Sequence, residues 1–483
     1  MSKNILQRGA IAALLLVGGA SAALALHPPE LLRVGANYSA KMVCSNVFIA
    51  GREAQAVLAD DVQAPGHPLL KFLRIQVDKE KQTVSAKLLG LFGNGLAVYR
   101  PGTGCAVVPD GDLEQARRYQ FAPVEIKPGA VDALWPEGYE QEMFLQPIAA
   151  LQQAELTGPG ARAVLVIHRG ALVGQYYAEG YHQHTPLLGW SMTKTVTAAL
   201  IGMLIKDGKL SLDQSGFWPD PADPRHKITL AQLMSMSSGL EYNEGYGDVS
   251  DVTRMLYLQP DMASYTASKP LLHAPGSHWN YSSGTTVLLS RIAQRAAAAA
   301  TAAAAENTSG ATDAKILAYA HDRLFTPLGM RSAVLEADAR GNLVGSSYMY
   351  ASAQDWARFG QFLLQDGVWK GQRLLPEGFV QTMQQVAPAS DGQYGQGQLW
   401  RWGPSAAGSK GGNPDAAFGL PADTYWLEGH DGQSIAIIPS QQLVVVRLGL
   451  TPSSRNYQPQ ALVAAIIKSL PVTTMRPATP KQP

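Results

Sequence analysis

Apolar and polar residues alternate along the first part of the chain. Three segments show this period of two, "KMVCSNVFIAG", "LLKFLRIQVDKEKQTVSAKLLG" and "GLAVYRPGTGCAVV", with Gly and Pro between them. Alternation places successive side chains on opposite faces of a strand, and Gly and Pro favour turns. We therefore predict a small β-rich N-terminal domain over residues 36–125. The Pro- and Gly-rich residues 126–142 indicate a linker.

The pattern changes in residues 143–470, where strand-like and helical segments follow one another. Two β-branched runs flank the turn His168-Arg169-Gly170 and predict a hairpin. Residues 191–206 carry apolar side chains three and four apart, which predicts a helix that ends near Gly208. "DWARFGQFLLQDG" repeats this pattern, and "QSIAIIPSQQLVVVRLGL" predicts two buried strands. These segments indicate a larger second domain of α/β type.

The two ends of the chain and one internal segment have biased compositions. Basic Lys3 and Arg8 precede an apolar run with small residues near its end, so residues 1–26 predict a secretory signal peptide, or alternatively an uncleaved membrane anchor. We expect an exported protein, periplasmic or secreted, and in the alternative case of an uncleaved signal this segment alone would attach it to a membrane. Residues 293–315 are Ala-rich and predict a surface helix or an insertion, and the Pro-rich residues 471–483 are expected to be disordered.

Bulk composition narrows the function class. The chain has 483 residues, of which 46% are hydrophobic and 16% charged, as in globular proteins. A net charge of +1 gives no electrostatic reason to expect a nucleic-acid partner. Cys44 and Cys105 are the only cysteines, and an oxidising compartment would allow them to pair. Two unrelated buried thiols remain the alternative, because the sequence does not give their separation.

One tetrad carries candidate chemistry. In "GWSMTKTV", Ser191 and Lys194 lie three residues apart at the start of the predicted helix, so their side chains share a face. A serine hydroxyl is a poor nucleophile until a base takes its proton, and burial can lower the pKa of a lysine enough for that task. A helix N-terminus adds backbone N–H donors for a developing oxyanion. A plain helix start with a surface lysine is the alternative.

The segments around this tetrad favour a catalytic role for Ser191 and Lys194. "TPLLGWSMTKTVTAALIGMLIKDGKLSLD", "ITLAQLMSMSSGLEY", "PGSHWNYSSGTTVLLSRI", "LFTPLGM", "YASAQDWARFGQFLLQDGVWKGQRLL" and "YWLEGHDGQSIAIIPSQQLVVVRLG" follow one another along residues 145–470. In order and spacing they resemble the serine hydrolases of the β-lactamase class C superfamily, in particular the carboxylesterase and 6-aminohexanoate-dimer hydrolase branch. The resemblance implies a β-lactamase/penicillin-binding-protein-like α/β fold, with a mixed antiparallel sheet flanked by helices and an all-helical lobe.

The resemblance also assigns roles to residues. Ser191 is expected to be the nucleophile, with Lys194 and Tyr281 sharing the acid-base work of forming and breaking an acyl-enzyme. The backbone N–H groups of Ser191 and Gln433 are expected to form the oxyanion hole. The family's third motif falls on residues 430–432, where Gly432 would let the strand edge approach the substrate.

Two of the three family motifs depart from the β-lactamase form. Ser283 takes the place of an asparagine, and His430 takes the place of a lysine that offers a permanent cation. His430 either orients substrate or is a structural histidine. We therefore expect a small-molecule ester or a small linear amide as substrate, rather than a β-lactam. Trp190 and Trp279 are candidates for apolar walls or for ordinary core residues.

The sequence gives weaker support to other interpretations of the site and of the function. A Ser-His-Asp triad is not expected, because neighbouring strand residues point to opposite faces and Asp431 would then not orient His430. His182-Gln183-His184 lacks a third metal ligand nearby, so we predict no metal site, and no cofactor is expected. The alternative function is a catalytically silent module of the same fold that binds a peptide or a cell-wall fragment.

Overall fold

The computed structural model describes residues 24, 26–127, 133–141, 148–302, 309–406 and 411–470. Most of the predicted signal segment 1–26, parts of the predicted linker 126–142 and the tail 471–483 lie outside this range. Within the range, no helix combines the length and the hydrophobicity that crossing a bilayer requires.

The described chain alternates between helices and strands. The helices are α1 Glu30–Phe48, α2 Ala54–Ala56, α3 Leu113–Arg117, α4 Ala154–Thr157, α5 Thr193–Lys206, α6 Leu230–Met234, α7 Asp251–Leu258, α8 Met262–Ala267, α9 Ser283–Ala302, α10 Ser309–Ala320, α11 Thr326–Leu328, α12 Ala353–Leu364, α13 Phe379–Gln384 and α14 Pro459–Ser469. The strands are β1 Leu73–Asp78, β2 Thr83–Leu88, β3 Phe92–Arg100, β4 Gly104–Val107, β5 Ala161–His168, β6 Ala171–Tyr177, β7 Leu187–Leu188, β8 Val334–Leu335, β9 Met349–Ala351, β10 Val368–Trp369, β11 Gln372–Arg373, β12 Tyr425–Gly429, β13 Gln433–Ile438 and β14 Leu443–Gly449.

A five-stranded antiparallel sheet of order β12-β13-β14-β5-β6 forms the centre of the larger unit, residues 148–470, called the main unit below. Its hairpins occur where the sequence predicts them. The β5–β6 turn has positive φ at Arg169 and Gly170, and β13 and β14 join across residues 439–442. Positive φ at two successive turn residues matches the right-handed twist of the paired strands.

Both faces of this sheet are covered by helices. Leu165 and Ile167 of β5 pack toward Trp356 and Phe359 of α12 on one face, whereas Val164 and the alternate positions pack toward α14 on the other. Burial on both faces explains why these strands have continuous apolar runs instead of an alternating pattern. The sheet, its flanking helices and a helical region that includes α7, α8 and α9 confirm the predicted α/β class.

The first unit, residues 30–117, is called the N-terminal unit below. Its four-stranded antiparallel sheet β1-β2-β3-β4 confirms the predicted β-rich character of that region. The strand prediction for "KMVCSNVFIAG", residues 41–51, is wrong, because most of this segment belongs to helix α1. Helix α1 buries residues on several sides, so its apolar positions do not form one stripe at helical spacing.

The N-terminal unit is joined to the main unit through a shared core. Buried side chains of α1 and β1–β4 form one cluster with Trp190, Tyr257 and Val287 of the main unit. The Lys41 Nζ lies 2.5 Å from Glu336 Oε2, and both side chains are nearly inaccessible to solvent. Cys44 of α1 and Cys105 of β4 form a disulfide, which is the pairing that the sequence left open.

Candidate active site

Ser191 lies in a single 3-10 turn, Trp190–Met192, directly before α5. Gly189 precedes it against the ring of Trp356, where an added Cβ would lie 2.1 Å from the indole. Trp190 has a φ of 49°, a left-handed conformation that is unfavourable for a bulky side chain. The surrounding packing must stabilise this conformation, because strain of this kind costs on the order of 1–3 kcal/mol. The turn presents Ser191 at the N-terminal end of α5, as the sequence predicts.

Lys194 is buried at the first turn of α5, with 1% of its surface exposed. Its Nζ donates to Ser191 Oγ at 3.1 Å, to Ser283 Oγ at 3.0 Å and to the Ser346 carbonyl at 3.0 Å. Burial lowers the pKa of Lys194 to about 8, and the negative charge of Glu244 partly opposes this shift. A lysine in this state can release and take up a proton near neutral pH.

Tyr281 lies beside this pair. Its ring centroid is 4.7 Å from Lys194 Nζ, and its hydroxyl interacts with Ser191. Burial and the charge of Glu244 raise the pKa of Tyr281 above its usual value, so its hydroxyl stays protonated at neutral pH. The Tyr281 ring belongs to an aromatic cluster with Trp279, Tyr394 and Trp400. The sequence prediction thus places Ser191, Lys194 and Tyr281 together, as the structure does.

Glu244 is a site residue that the sequence analysis missed. Ser283 Oγ donates to Glu244 Oε1 at 2.5 Å, and the Ser283 backbone N–H donates to Oε2 at 2.8 Å. Lys194 Nζ donates to the same Ser283 hydroxyl, so Ser283 connects the lysine to a carboxylate. Burial raises the pKa of Glu244, and the charge of Lys194 opposes this rise. The sequence points to Glu244 only indirectly. Ser283 stands where the family motif has an asparagine, and this change leaves room for another hydrogen-bond acceptor.

The third motif forms a turn rather than part of a strand. Residues His430–Gly432 are a 3-10 turn between β12 and β13, with Asp431 at a φ of 58°. His430 Nε2 lies 3.4 Å from Asp431 Oδ1. The expectation that Asp431 cannot orient His430 is therefore wrong, because the argument from alternating strand faces does not hold in a turn. Ser191 Oγ accepts its hydrogen bond from Lys194 Nζ, and the ring beside that nitrogen is that of Tyr281, not that of His430.

Gly432 and Gln433 have structural contacts that explain their residue types. Gly432 has a φ of 80°, and an added Cβ would lie 2.9 Å from Arg447 Nη1, so this glycine accommodates the arginine. The Gln433 side chain exchanges two hydrogen bonds with the backbone of Gly449. An added Cβ at Gly429 would lie 2.2 Å from the Gly189 carbonyl, so the end of β12 adjoins the Ser191 turn. The Gln433 backbone N–H remains a predicted oxyanion donor.

A second group of aromatic rings lies on the His430 side of the turn. The His430 ring centroid is 5.6 Å from that of Trp190 and 5.2 Å from that of Tyr246. The Tyr246 hydroxyl donates to Glu244 Oε1 at 3.3 Å. Trp190 is 7% exposed and shares the core of the N-terminal unit, whereas Trp279 belongs to the cluster around Tyr281.

The described residues contain no group of three or more His, Cys, Asp or Glu side chains arranged to hold a metal ion. The rings of His182 and His184 are 5.9 Å apart, and His184 also contacts Tyr139. This pair lies on an exposed turn and is not brought to Ser191.

Comparison with known proteins identifies relatives of the main unit. The beta-lactamase family profile matches residues 149–464. A curated 6-aminohexanoate-dimer hydrolase from Paenarthrobacter ureafaciens is 22% identical over 235 residues, which are 46% of this chain and 56% of that protein. This chain thus spans little more than half the length of that relative.

One solved structure shares the fold at a TM-score of 0.50, and a second gives a lower score. A protein assigned as a 6-aminohexanoate-dimer hydrolase from Bacillus anthracis superposes with a TM-score of 0.50 at 22% identity, over 72% of this chain and 87% of that one. A protein assigned as a beta-lactamase from Bacteroides dorei DSM 17855 gives a TM-score of 0.48 at 19% identity, over 66% of this chain and 96% of that one.

Proposed function

The chain belongs to the beta-lactamase family of serine hydrolases, and from this premise we propose that it cleaves an ester or a small linear amide through an acyl-enzyme on Ser191. The observation that carries the proposal is the hydrogen bond between the buried Lys194 Nζ and Ser191 Oγ. A lysine with a pKa of about 8 has a deprotonated fraction on the order of one tenth at pH 7, which is enough for a general base.

In the acylation step, neutral Lys194 takes the proton of Ser191 while Oγ forms a bond to the substrate carbonyl carbon. The backbone N–H groups of Ser191 and Gln433 would stabilise the negative charge on the carbonyl oxygen. As the tetrahedral intermediate collapses, the Tyr281 hydroxyl gives its proton to the leaving alcohol or amine and receives one from Lys194. The raised pKa of Tyr281 supports this role as a proton donor.

In the deacylation step, a water molecule attacks the acyl carbon. The same pair, Lys194 and Tyr281, takes the water proton and returns a proton to Ser191 Oγ, so the carboxylic acid leaves and the serine is regenerated. Ser283 and Glu244 act as positioning residues, because they fix one of the three acceptors around Lys194 Nζ.

The residue at the third motif favours an uncharged or weakly charged substrate. A lysine at this position would supply a permanent cation for a substrate carboxylate, whereas His430 lies beside Asp431 and is nearly half exposed. The curated relative from Paenarthrobacter ureafaciens hydrolyses a 6-aminohexanoate dimer, as its name states, so we include an aminohexanoate dimer in the substrate panel.

The first experiment compares wild type with Ser191→Ala on p-nitrophenyl acetate and butyrate, a linear aminohexanoate dimer, a D-alanyl peptide and nitrocefin. We expect Ser191-dependent hydrolysis of the esters or of the linear amide, and little turnover of nitrocefin. Ser277→Ala is the matched control, since Ser277 is exposed and its hydroxyl donates to the Ala274 carbonyl instead of joining the hydrogen bonds of Lys194.

A fluorophosphonate probe separates the enzyme from a silent binding module of the same fold. We expect the probe to label wild type and Ser277→Ala and to spare Ser191→Ala. If wild type hydrolysed no member of the panel and also resisted the probe, the hydrolase proposal would be wrong and the binding module would take its place.

A further inference from the structure

A cavity of about 400 Å³ lies between the N-terminal unit and the main unit. Leu31 and Val34 of α1 and Leu69 line it from the N-terminal side, and Trp190 and Tyr257 line it from the main unit. Its volume falls within the range of small-molecule sites in proteins, and these aliphatic and aromatic side chains suit an apolar ligand. Polar side chains, among them His67 and Asp248, form another part of the wall.

The N-terminal walls of this cavity are held in place. The Asn37 amide donates to the Tyr257 carbonyl at 2.8 Å, and the Tyr38 ring contacts the Tyr257 ring at a centroid distance of 5.6 Å. Arg162 of β5 reaches Asp61 of the N-terminal unit, with an Nη2–Oδ1 distance of 2.5 Å. These contacts hold the two units together on either side of the cavity.

The cavity adjoins the candidate active site. Trp190 precedes Ser191 in the same turn and lines the cavity, as does His430. Tyr246 also lines it, and the hydroxyl of this tyrosine donates to Glu244, the carboxylate connected to Lys194 through Ser283. One end of the cavity therefore lies beside the turn that carries Ser191, although Ser191, Lys194 and Tyr281 themselves do not line it.

We propose that this cavity is the acyl-chain subsite of the enzyme and takes an unbranched apolar acyl group, so that the N-terminal unit helps to select the substrate. The inference rests on the proposed function. The leaving group must lie next to Tyr281, because the Tyr281 hydroxyl donates a proton to it. Tyr281 belongs to the aromatic cluster with Trp279, Tyr394 and Trp400. None of these four residues lines the cavity. Trp190, the neighbour of Ser191, does line it, so we assign the cavity to the acyl chain, which stays bonded to Ser191 after the leaving group departs.

The test is the dependence of kcat/KM on acyl length across p-nitrophenyl acetate, butyrate, hexanoate and octanoate. Each methylene that the cavity buries is expected to raise kcat/KM by up to about fourfold. The Leu69→Trp variant fills the cavity and should lower kcat/KM for octanoate by about tenfold or more, with acetate within about twofold of wild type. Leu31→Trp fills the cavity from α1 and replaces Leu69→Trp in this test if Leu69→Trp fails to fold.

The matched control is Leu91→Trp, which places the same bulk on the N-terminal unit at a leucine that is 66% exposed and does not line the cavity. This variant should keep the wild-type length profile. A series of acetate esters with lengthening alcohols should respond little to Leu69→Trp. If the alcohol series responded and the acyl series did not, the assignment to the acyl chain would be overturned.

A binding measurement separates this inference from the proposed function. Calorimetric titration of Ser191→Ala with octanamide and acetamide needs no turnover, and we expect octanamide to bind more tightly and to lose that advantage when Leu69→Trp is added. Ser191-dependent ester hydrolysis with a flat length profile, and equal binding of the two amides, would overturn the subsite while leaving the hydrolase intact. Absent hydrolysis with selective octanamide binding would overturn the hydrolase, and with it the acyl-chain assignment, and would leave only an apolar binding site.

Discussion

At the residue scale, the protonation state of Lys194 sets the expected pH dependence. Lys194 must be neutral to take the proton of Ser191, and burial lowers its pKa to about 8. Below that pH the ammonium form dominates and the base is lost, so kcat/KM for p-nitrophenyl butyrate should rise with pH and level off above about pH 8. A profile that falls across this range would contradict the role of Lys194 as the base. The profile is measured with the Ser191→Ala rate subtracted at each pH.

Glu244 gives a second prediction at this scale. Its carboxylate raises the pKa of Lys194, so removing the charge in Glu244→Gln should lower that pKa and move the rising limb of the profile to lower pH. Relative to its own plateau, activity at pH 6.5 should increase on the order of threefold. The plateau itself should fall, because Ser283 loses a charged partner. The control is Glu241→Gln, at an exposed glutamate on the same segment, which should leave the rising limb of the pH profile at the wild-type pH. If the rising limb of the Glu244→Gln profile coincided with that of wild type, the role of Glu244 would be purely structural.

These residues also show how far the sequence leads at the scale of single side chains. Ser191 and Lys194 lie three apart on one helix, so their contact follows from helical geometry, and the family pattern adds Tyr281. Glu244 comes from a segment without periodic pattern and reaches Ser283 only through the tertiary fold. The contact between His430 and Asp431 depends on a left-handed turn residue, which the strand pattern around it conceals.

At the element scale, the disulfide joins helix α1 to strand β4 across a sequence separation of 61 residues. A crosslink of this span restricts the unfolded chain, and its removal in Cys44→Ala/Cys105→Ala should lower the free energy of unfolding by about 2–4 kcal/mol. Denaturation monitored by tryptophan fluorescence measures the change, with wild type under reducing conditions as a second comparison. Equal midpoints for the variant and oxidised wild type would mean that packing alone holds α1 on its sheet.

Helix α1 also shows where pattern-based prediction fails for whole elements. The predicted strands β5–β6 and β13–β14 and the predicted helix α5 are confirmed. Helix α1 lies between its own sheet and the main unit, and an added Cβ at Gly95 of β3 would lie 2.3 Å from the Ala36 backbone. A helix packed this closely on several sides has apolar and small residues all round, and the short apolar runs within it are indistinguishable from strands.

At the scale of the whole molecule, the two units are joined by a buried ion pair between Lys41 and Glu336. Glu336 also accepts hydrogen bonds from Ser45 Oγ and from the Cys105 backbone N–H, so its carboxylate has three partners in the N-terminal unit. Lys41 Nζ additionally donates to Ser45 Oγ. Such a network specifies how the units dock, because any other arrangement would leave a charge buried without a partner. The proposed acyl-chain subsite depends on this docking, since its walls come from both units.

The strength of that junction can be measured by removing one charge at a time. Glu336→Gln leaves Lys41 buried without its counter-charge and should lower the free energy of unfolding by about 3–5 kcal/mol. The double variant Lys41→Met/Glu336→Gln removes both charges and should recover much of the loss, because an uncompensated charge costs more than a missing pair. Lys370→Met breaks an exposed pair with Glu137 and should cost less than about 1 kcal/mol. If Glu336→Gln were as stable as Lys370→Met, the ion pair would contribute little and the shared apolar core alone would hold the units together.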